Sequence, residues 1–430
     1  MQHFCYKICC CFRSNKKNDL QENMLQKNGD LKEYKSKTQN SIHNKKSNQT
    51  DNKTVTIVTT TTNSTNSTNN NNKTLKSSLS LKHASFYDFK KIACIGKGSY
   101  GTVYLVQYKE NKKYYAMKVL KKDMIKKLKQ TNNTKTEREI LERIQHPFII
   151  NLYYAFQNSD GLFMCTEFLQ GGDLHFHLTK HGIFTLEQVR FYTAEIVLGL
   201  IHLHSNNIIY RDLKLENVLL DKDGHIKLID FGLSKVCNRI FEANSSINEV
   251  ILEKTHSFCG TDKYIAPEIL LGKKYDSCVD WWSLGILIYE MSEGTVPFKL
   301  TKQDLFDDSF DIRENVTFVS CKSESMQSLI LNLLEINCEK RLGYRNNNNF
   351  DFIKKHEFFH DINWDKIYNK ELNPPFKPII LSPDDVSNFD AKFINESTMD
   401  RDSGTDDGFS LFPKKENDHY DNFSYDNAII

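Results

Sequence analysis

The chain has 430 residues, of which 39% are hydrophobic, and its 57 Lys and Arg nearly balance its 55 Asp and Glu. This balance argues against a nucleic-acid-binding protein, in which basic residues would be in excess. No apolar run approaches the roughly 20 residues that span a bilayer. Eleven Cys without paired spacing predict reduced thiols in a cytoplasmic protein.

The amino-terminal region, residues 1–85, is predicted to be disordered. Runs such as Thr59–Thr62 and Asn69–Asn72 bury too little apolar surface to offset the ~1–2 kcal/mol per residue that ordering a backbone costs. Dense, patterned sequence begins near Phe86 and continues to about Pro383, and a polar, acidic tail with islands of aromatic residues follows. We therefore expect a folded domain between two polar ends.

A cluster of thiols lies near the amino terminus among aromatic and basic residues: Cys5, Cys9, Cys10 and Cys11. Such surroundings suit S-palmitoylation together with attraction to anionic lipid, which would associate the protein with a membrane. Gln2 stands where myristoylation requires a glycine. The alternatives are a metal site, although its usual paired spacing is missing, and a short basic helix for a partner such as calmodulin.

The first motif of the dense region is the glycine-rich run Gly96-Lys97-Gly98-Ser99-Tyr100-Gly101. Glycines let a backbone approach phosphate oxygens closely and present N–H groups to them. The same pattern opens a helix in dinucleotide-binding folds, so the pattern alone is a weak signal. Here β-branched and aromatic residues follow it, which favours a turn between two β-strands.

A short apolar strand, Tyr115–Val119, comes next and carries Lys118 in its middle. A lysine in such a strand usually just points to solvent. Glu137 follows in a segment, 134–144, whose apolar residues recur at helical spacing. A buried pair of Lys118 with Glu137 would hold the ammonium against the α- and β-phosphates of a nucleotide.

Three later motifs decide whether the glycine-rich run, Lys118 and Glu137 belong to a nucleotide-binding site. Asp212, Lys214 and Asn217 lie in one loop after an apolar helix. Asp230-Phe231-Gly232 comes next along the chain, and Ala266-Pro267-Glu268 follows it. A glycine-rich loop, a strand lysine, a helix glutamate and these motifs in this order form the signature of the protein kinases.

From about Phe89 to Phe359 the chain resembles the catalytic domain of protein kinases, and within them the AGC group, the kinases similar to protein kinases A, G and C. Tyr210 in place of the usual His is one feature behind this resemblance. The others are Phe258-Cys259-Gly260-Thr261, Asn373-Pro374-Pro375-Phe376 and Phe423-Ser424-Tyr425. Within that group the sequence is similar to protein kinase B and the related ribosomal-protein kinases, but residues 1–85 are too polar for a pleckstrin-homology domain.

This resemblance implies an α+β, bilobal protein-kinase fold, with a small β-rich N-lobe and a larger α-helical C-lobe. The catalytic domain would occupy residues 89–359 and a regulatory tail residues 360–430. An apolar stack through the two lobes and a buried ion pair between Glu268 and Arg341 are also implied. The stack would contain Leu141, Leu152, Tyr210 and Phe231, anchored by Asp280.

The resemblance implies a serine/threonine protein kinase that uses ATP and Mg²⁺. Asp212 would orient the substrate hydroxyl and accept its proton, and Lys214 would neutralise the γ-phosphoryl oxygens. Asn217 and Asp230 would be the metal ligands, since both offer the oxygens that Mg²⁺ prefers. The implied nucleotide-binding residues are Ile95, Gly96, Lys97, Gly98, Ser99, Gly101, Val103, Ala116, Lys118, Glu137, Glu167 and Leu169.

Three acidic residues, Asp173, Glu216 and Glu290, stand where basophilic members of the group bind arginines upstream of the target hydroxyl. Carboxylates can bind a guanidinium through two parallel hydrogen bonds, so protein substrates with Arg at two or more positions before Ser or Thr, including the third position before it, are expected. The alternative is an acidic cleft without positional preference. Lys263 replaces the glutamate usual in the group, and this reversed charge puts preferences farther upstream in doubt.

Ser257 occupies the position that is phosphorylated in activated relatives, and Arg211 and Lys235 would receive its phosphate. Ser424 is the expected phosphosite of the tail, and Ser403 or Thr405 an intermediate one. An upstream activating kinase is therefore an expected partner, and the protein is expected to be a monomer. The alternative for the tail is a disordered segment with stray aromatic residues.

Two other functions are weighed against a protein kinase. A scaffolding pseudokinase would be expected to have lost Lys118, Asp212 or Asp230, and all three are present. A kinase of small molecules would not be expected to combine the Ala-Pro-Glu segment, a Ser257-like switch and the tail motif.

Overall fold

The computed structural model of the protein describes residues 84–98, 101–237, 255, 259–306, 310–344, 350–394 and 420–426, and the backbone of 239–241 and 250–252. Several residues singled out in the sequence lie outside this part: Ser99, Ser257, Ser403, Thr405, Cys5, Cys9, Cys10 and Cys11. None of the helices in the described ranges combines the length and apolar character needed to cross a membrane.

The first lobe is built on an antiparallel sheet. Its strands are β1 (Phe89–Lys97), β2 (Gly101–Tyr108), β3 (Tyr114–Lys121), β4 (Leu152–Gln157), β5 (Gly161–Glu167) and β12 (Tyr425–Asp426). They follow the order β1-β2-β3-β5-β4-β12. The first two strands pair antiparallel, so the glycine-rich run connects two strands, as its sequence predicted.

Two helices accompany this sheet, α1 (Lys122–Lys127) and α2 (Thr131–Arg143). Helix α2 begins earlier than the spacing of its apolar residues predicted, because the backbone N–H of Thr134 already donates to the carbonyl of Gln130 at 2.9 Å. Ile140 and Leu141 of this helix are buried, while Glu142 stays partly exposed. The amphipathic face therefore directs α2 onto the core.

The second lobe is mainly helical. Its helices are α3 (Leu174–His181), α4 (Leu186–Ser205), α5 (Pro267–Leu270), α6 (Cys278–Glu293), α7 (Ile312–Asn315), α8 (Glu324–Leu333), α9 (Asp351–Lys354) and α10 (Trp364–Tyr368). Short strand pairs lie among them: β6 (Ile208–Ile209) with β9 (Lys235–Val236), β7 (Val218–Leu220) with β8 (Ile226–Leu228), and β10 (Arg239–Phe241) with β11 (Val250–Leu252). A small β-rich lobe and a larger helical lobe confirm the predicted α+β, bilobal fold.

Helices α4 and α6 are at the centre of the second lobe because they are apolar almost all the way round. Thr185 begins α4 with a capping box: its hydroxyl accepts from the N–H of Gln188, whose side chain accepts from the N–H of Thr185. Helix α6 ends at Gly294, whose φ of +79° lies in the left-handed region that glycine adopts at little cost.

A continuous apolar core joins the two lobes. Leu141 and Leu152 of the first lobe belong to the same buried cluster as Tyr210 and Phe231 of the second. The Tyr210 and Phe231 rings meet edge to face, with their centroids 5.2 Å apart. The apolar stack implied by the resemblance is therefore present.

Glu268 and Arg341 form a buried, two-pronged ion pair. The guanidinium Nη1 and Nη2 donate to the two carboxylate oxygens at 2.7 and 2.9 Å. Nη1 also donates to the carbonyl of Cys278 at 3.0 Å, and Nε to the carbonyl of Glu335 at 2.8 Å. The pair therefore fastens the Ala-Pro-Glu segment to the start of α6 and to the loop after α8.

We expect Glu268→Ala to lower the free energy of unfolding by about 3–5 kcal/mol, because it leaves the Arg341 guanidinium buried without its anion. Urea denaturation followed by tryptophan fluorescence measures this loss. The control is Lys355→Ala, which removes the exposed pair of Lys355 with Asp351 and should cost less than about 1 kcal/mol. Equal losses in the two variants would contradict a stabilising role for the buried pair.

Candidate active site

Lys118 lies on β3 and faces away from Met117 and Val119, because successive strand residues alternate between the two faces. Its Nζ is 2.6 Å from Oε1 of Glu137 on α2 and 3.2 Å from Oδ1 of Asp230. One ammonium group thus connects the sheet, helix α2 and the Asp-Phe-Gly motif.

The pKa values of the two carboxylates around Lys118 shift in opposite directions. The ammonium of Lys118 holds the pKa of Asp230 below its usual range. Burial raises the pKa of Glu137, and Lys118 opposes this effect only in part. Asp230 is therefore an ionised carboxylate at neutral pH, as a cation ligand must be.

A second polar cluster surrounds Asp212 in the loop between β6 and β7. Lys214 Nζ donates to Asp212 Oδ2 at 2.6 Å and to Thr261 Oγ1 at 2.9 Å. The Thr261 hydroxyl donates to Asp212 Oδ1 at 3.0 Å, and Asn217 Nδ2 donates to Oδ2 at 2.8 Å. Both oxygens of Asp212 are thus held in a fixed direction.

Burial raises the pKa of the Asp212 carboxyl, and the neighbouring Lys214 works against this effect. A carboxylate whose pKa is raised toward the working pH is a better proton acceptor than one in water. The arrangement therefore suits Asp212 to act as a general base.

Asp280 of α6 fixes the backbone of this loop. Its Oδ2 accepts from the N–H of Tyr210 at 2.9 Å and its Oδ1 from the N–H of Arg211 at 2.7 Å. His204 Nε2 lies 2.7 Å from Oδ2. Arg211 has a φ of +68°, a left-handed conformation that is uncommon outside glycine, and these hydrogen bonds hold it there.

The glycine-rich turn is closed by the backbone N–H of Gly98, which donates to the carbonyl of Gly101 at 2.8 Å. A Cβ at Gly101 would lie 2.5 Å from the carbonyl oxygen of Val119. Only glycine therefore lets β2 approach β3 this closely. Gly96 and Lys97 end β1 immediately before the turn.

Apolar residues below this turn form one packed cluster with the tail. Ile95 is buried there, and Val103, Ala116 and Phe168 pack around it together with Phe389 of the tail. The Phe168 and Phe389 rings stack with their centroids 5.7 Å apart and their planes 18° apart. The predicted nucleotide-binding residues Ile95, Val103 and Ala116 are thus brought together, with a tail phenylalanine beside them.

Glu167, at the end of β5, directs its side chain into a network between the lobes. Oε1 accepts from the backbone and side-chain N–H groups of Asn151, both at 2.9 Å. It also lies 2.9 Å from Nζ of the buried Lys227. A nucleotide contact at Glu167 therefore has to come from its backbone, while Leu169 nearby is buried in the main core.

Asn217 and Asp230 fit a hard cation. The Asn217 amide nitrogen is directed at Asp212, so the carbonyl oxygen is the atom that could bind a metal. Within the described residues, no group of three or more His, Cys, Asp or Glu is placed to hold a metal ion. A cation here would need substrate oxygens or water to complete its shell, as Mg²⁺ at nucleotide sites commonly does.

The three acidic residues expected to bind arginine differ in their surroundings. Glu290 of α6 is buried and accepts a hydrogen bond from the Tyr264 hydroxyl. Burial first, and then the like charge of Glu216, raise the pKa of Glu290, while Lys263 lowers it. Asp173 caps α3, since its Oδ1 accepts from the N–H of Phe176 at 2.7 Å.

Residues 420–426 of the tail dock on the first lobe. Strand β12 pairs with β4, so that Tyr425 lies opposite Ala155. Tyr420 and Phe423 are only 4% and 2% exposed. The amide of Gln157 holds the Tyr420 backbone, donating to its carbonyl at 2.7 Å and accepting from its N–H at 2.9 Å.

The docked tail also reaches helix α2. Arg138, which follows Glu137 in sequence, directs Nη2 at the carbonyl of Ser424 at 3.4 Å. Its guanidinium lies 5.8 Å from the centre of the Tyr425 ring. The tail therefore contacts the same helix that presents Glu137 to Lys118.

Sequence reasoning missed the role of several residues in this site. Thr261 was noted only as part of a motif, yet it bonds both Asp212 and Lys214. Gln157 and Lys227 carried no signal at all, because a polar residue near a strand end has many possible partners. The motif that contains Gly260 and Thr261 was the only sequence signal that could have indicated the role of Thr261.

A family model described as "Protein kinase domain" matches residues 89–359. Protein kinase 3 of Dictyostelium discoideum is 45% identical over 313 residues, which are 71% of this chain and 33% of that protein. Protein kinase 2 of the same organism is 43% identical over 318 residues, which are 73% of this chain and 62% of that protein. Human RAC-beta serine/threonine-protein kinase is 40% identical over 343 residues, 80% of this chain and 68% of that protein.

We expect Phe423→Ala to release the tail from the first lobe, because truncating a buried phenylalanine costs about 3–5 kcal/mol. Hydrogen–deuterium exchange measured by mass spectrometry should then be faster in β4 and α2. The control is Asn422→Gly, at an exposed position of the same segment whose φ of +58° suits glycine, and it should leave exchange unchanged. Unaltered protection of β4 in Phe423→Ala would show that the aromatic side chain does not hold the tail.

Proposed function

The chain belongs to the protein kinase family, and on this premise we propose that it transfers the γ-phosphoryl group of MgATP to Ser and Thr hydroxyls of proteins. Its relatives include serine/threonine kinases, and the resemblance to protein kinase B expected from the sequence is confirmed by the RAC-beta relatives. The chain covers a third of Protein kinase 3 and about two thirds of the other two relatives described.

The observation that carries the proposal is the fixed orientation of Asp212. Lys214, Thr261 and Asn217 hold its two oxygens, so that it can accept the proton of an incoming hydroxyl. Phosphoryl transfer passes through a loose transition state, in which positioning and charge neutralisation supply most of the catalysis. Lys214, beside Asp212, would neutralise charge on the transferred group.

Lys118 would hold the α- and β-phosphates of ATP, as Glu137 fixes its position. Protein kinase domains use ATP with a divalent metal, and we propose Mg²⁺ held by Asn217 and Asp230. The metal would neutralise the phosphate oxygens of the bound nucleotide. The glycine-rich turn would cover these phosphates with backbone N–H groups.

We further propose that the protein acts on substrates with arginine upstream of the target residue. Glu216 and Glu290 are close enough for their like charges to interact, and a guanidinium between them would relieve this repulsion. The positive charge of Lys263 also acts on Glu290. An arginine farther upstream that came next to Lys263 would meet a like charge, so the preference at that position is expected to be weaker.

Control by phosphorylation belongs to the same proposal. A phosphate on Ser257 would be received by Arg211 and Lys235, and one on Ser424 would lie close to Arg138, which already contacts the Ser424 backbone. Each phosphate adds about −1.5 to −2 charges and three acceptor oxygens. We propose an upstream activating kinase, and a cytoplasmic monomer that reaches membranes through palmitoylated amino-terminal cysteines.

The first test is MgATP-dependent phosphorylation of a peptide library with arginine varied upstream of Ser or Thr. Wild-type protein should modify peptides with upstream Arg, and Asp212→Asn should lower the rate by about 10²–10⁴-fold, since it removes the general base. Lys263→Glu should increase the preference for a second arginine. Nucleotide binding in Asp212→Asn serves as the control for folding.

Two results of this experiment would count against the proposal. Transfer by Asp212→Asn at the wild-type rate would exclude Asp212 as the base. Nucleotide binding by wild-type protein without any transfer, even after treatment with an upstream kinase, would favour the scaffolding function. Transfer that shows no preference for upstream arginine would support the proposed kinase activity and contradict the proposed substrate specificity.

The second test concerns activation. We expect Ser257→Ala to lower the activity of protein treated with an upstream kinase about tenfold or more, because one charge-assisted hydrogen bond contributes about 1.5–3 kcal/mol. Ser424→Ala should lower it less, and Ser410→Ala, at a tail serine that is not among the expected phosphosites, is the matched control. Phosphopeptide mapping of the treated protein identifies the sites. Full activity of the Ser257→Ala, Ser424→Ala double variant would contradict activation by phosphorylation at these two sites.

A further inference from the structure

A pair of thiols lies in the second lobe, next to the ion pair of Glu268 with Arg341. Cys278 is the first residue of α6, and Cys338 precedes Arg341 in the loop after α8. The Cys278 thiol donates to the carbonyl oxygen of Cys338 at 3.2 Å. The two thiols are also within hydrogen-bonding reach of each other.

The two thiols have unequal surroundings. Cys278 is 2% exposed, and burial raises its pKa well above the usual value. Cys338 is partly exposed, and the nearby Cys278 side chain lowers its pKa to about 7. One sulfur is therefore accessible and partly ionised at neutral pH, and the other is a protected thiol directly beside it.

This arrangement matches what reversible thiol oxidation requires. The thiolate is the reactive form, and susceptibility to oxidation follows thiolate character and solvent access. A neighbouring thiol can then convert the first oxidation product into a disulfide before it is oxidised further. Cys321, a buried thiol of the same lobe outside the pair, has a raised pKa instead.

We propose that Cys338 and Cys278 form a modification site for hydroperoxides, at which the two thiols are converted into a reversible disulfide. The Cys338 thiolate attacks one peroxide oxygen, the O–O bond breaks, and the released oxygen leaves as water or an alcohol after taking up a proton. Cys338 becomes a sulfenic acid. The Cys278 sulfur then attacks the Cys338 sulfur and loses its proton, the S–O bond breaks, and water leaves.

The electrons balance in this sequence. The two thiols lose two electrons and two protons in total, and the hydroperoxide takes up both. A dithiol reductant reverses the reaction by thiol–disulfide exchange. No other oxidant or metal is needed.

The site adjoins the brace around Glu268. Arg341 Nη1 donates to the carbonyl of Cys278 at 3.0 Å and lies 3.6 Å from its sulfur. The backbone N–H of Arg341 donates to the Cys338 carbonyl at 3.3 Å. A disulfide would therefore tie the start of α6 covalently to the loop that already meets it through Arg341.

The test uses the full chain, treated at pH 7 with hydrogen peroxide, blocked with N-ethylmaleimide and digested without reduction. Mass spectrometry should find the peptides of Cys278 and Cys338 cross-linked, and dithiothreitol should separate them. Without peroxide, the alkylation rate of Cys338 should rise with pH to half its maximum near pH 7. Cys321→Ser, which removes a thiol outside the pair, is the control and should behave as wild type.

Two variants separate the roles of the sulfurs. Cys278→Ser should prevent the cross-link and let peroxide carry Cys338 on to the sulfinic acid. Cys338→Ser should leave Cys278 unmodified at the same peroxide concentration, because its thiol is buried. The proposal is overturned if wild-type protein forms no such cross-link while its other thiols are oxidised, or if Cys278 reacts equally fast in Cys338→Ser.

Discussion

The buried carboxylate of Asp280 holds the arrangement on which the site depends. It accepts hydrogen bonds from two successive backbone N–H groups, of Tyr210 and Arg211, and contacts His204 on α4. A carboxylate without solvent exposure is tolerated only where such partners replace water. Through these contacts the two central helices, α4 and α6, jointly set the direction in which the chain leaves β6 and presents Asp212.

Lys118 connects elements of the two lobes, as Asp280 connects elements of the second lobe. It brings together groups from three distant parts of the chain, since Glu137 comes from α2 and Asp230 from the segment after β8. Its contact with Glu137 is possible only while α2 lies against the sheet. The tail contacts the same helix through Arg138, so one helix carries both the lysine contact and the tail contact.

The sequence was sufficient to predict the two lobes and the main polar groups of the site. Asp212, Asn217 and Asp230 stand at fixed spacings in loops, and loops with such residue types have few alternative uses. The start of α2 was placed too late, because the polar turn beginning at Thr131 has no apolar residue to mark it. Helix boundaries set by backbone hydrogen bonds are not visible in hydrophobic periodicity.

Partners that meet only in three dimensions could not be predicted. Thr261 reaches Asp212 across 49 residues of sequence, and Gln157 reaches Tyr420 across 263. The contacts of the Glu167 side chain with Lys227 and Asn151 were likewise not predicted. Residue type limits what such groups can bond to, whereas the packing of the lobes decides which partner they find.

The position of β12 in the sheet has one more consequence. In the sheet order, β4 would be an edge strand if the tail were not paired with it. An uncovered edge presents a row of N–H and C=O groups that can pair with another chain, and this is a common start of aggregation and domain swapping. Residues 420–426 of the tail thus cover this edge of the sheet, and a chain whose tail is undocked would expose it.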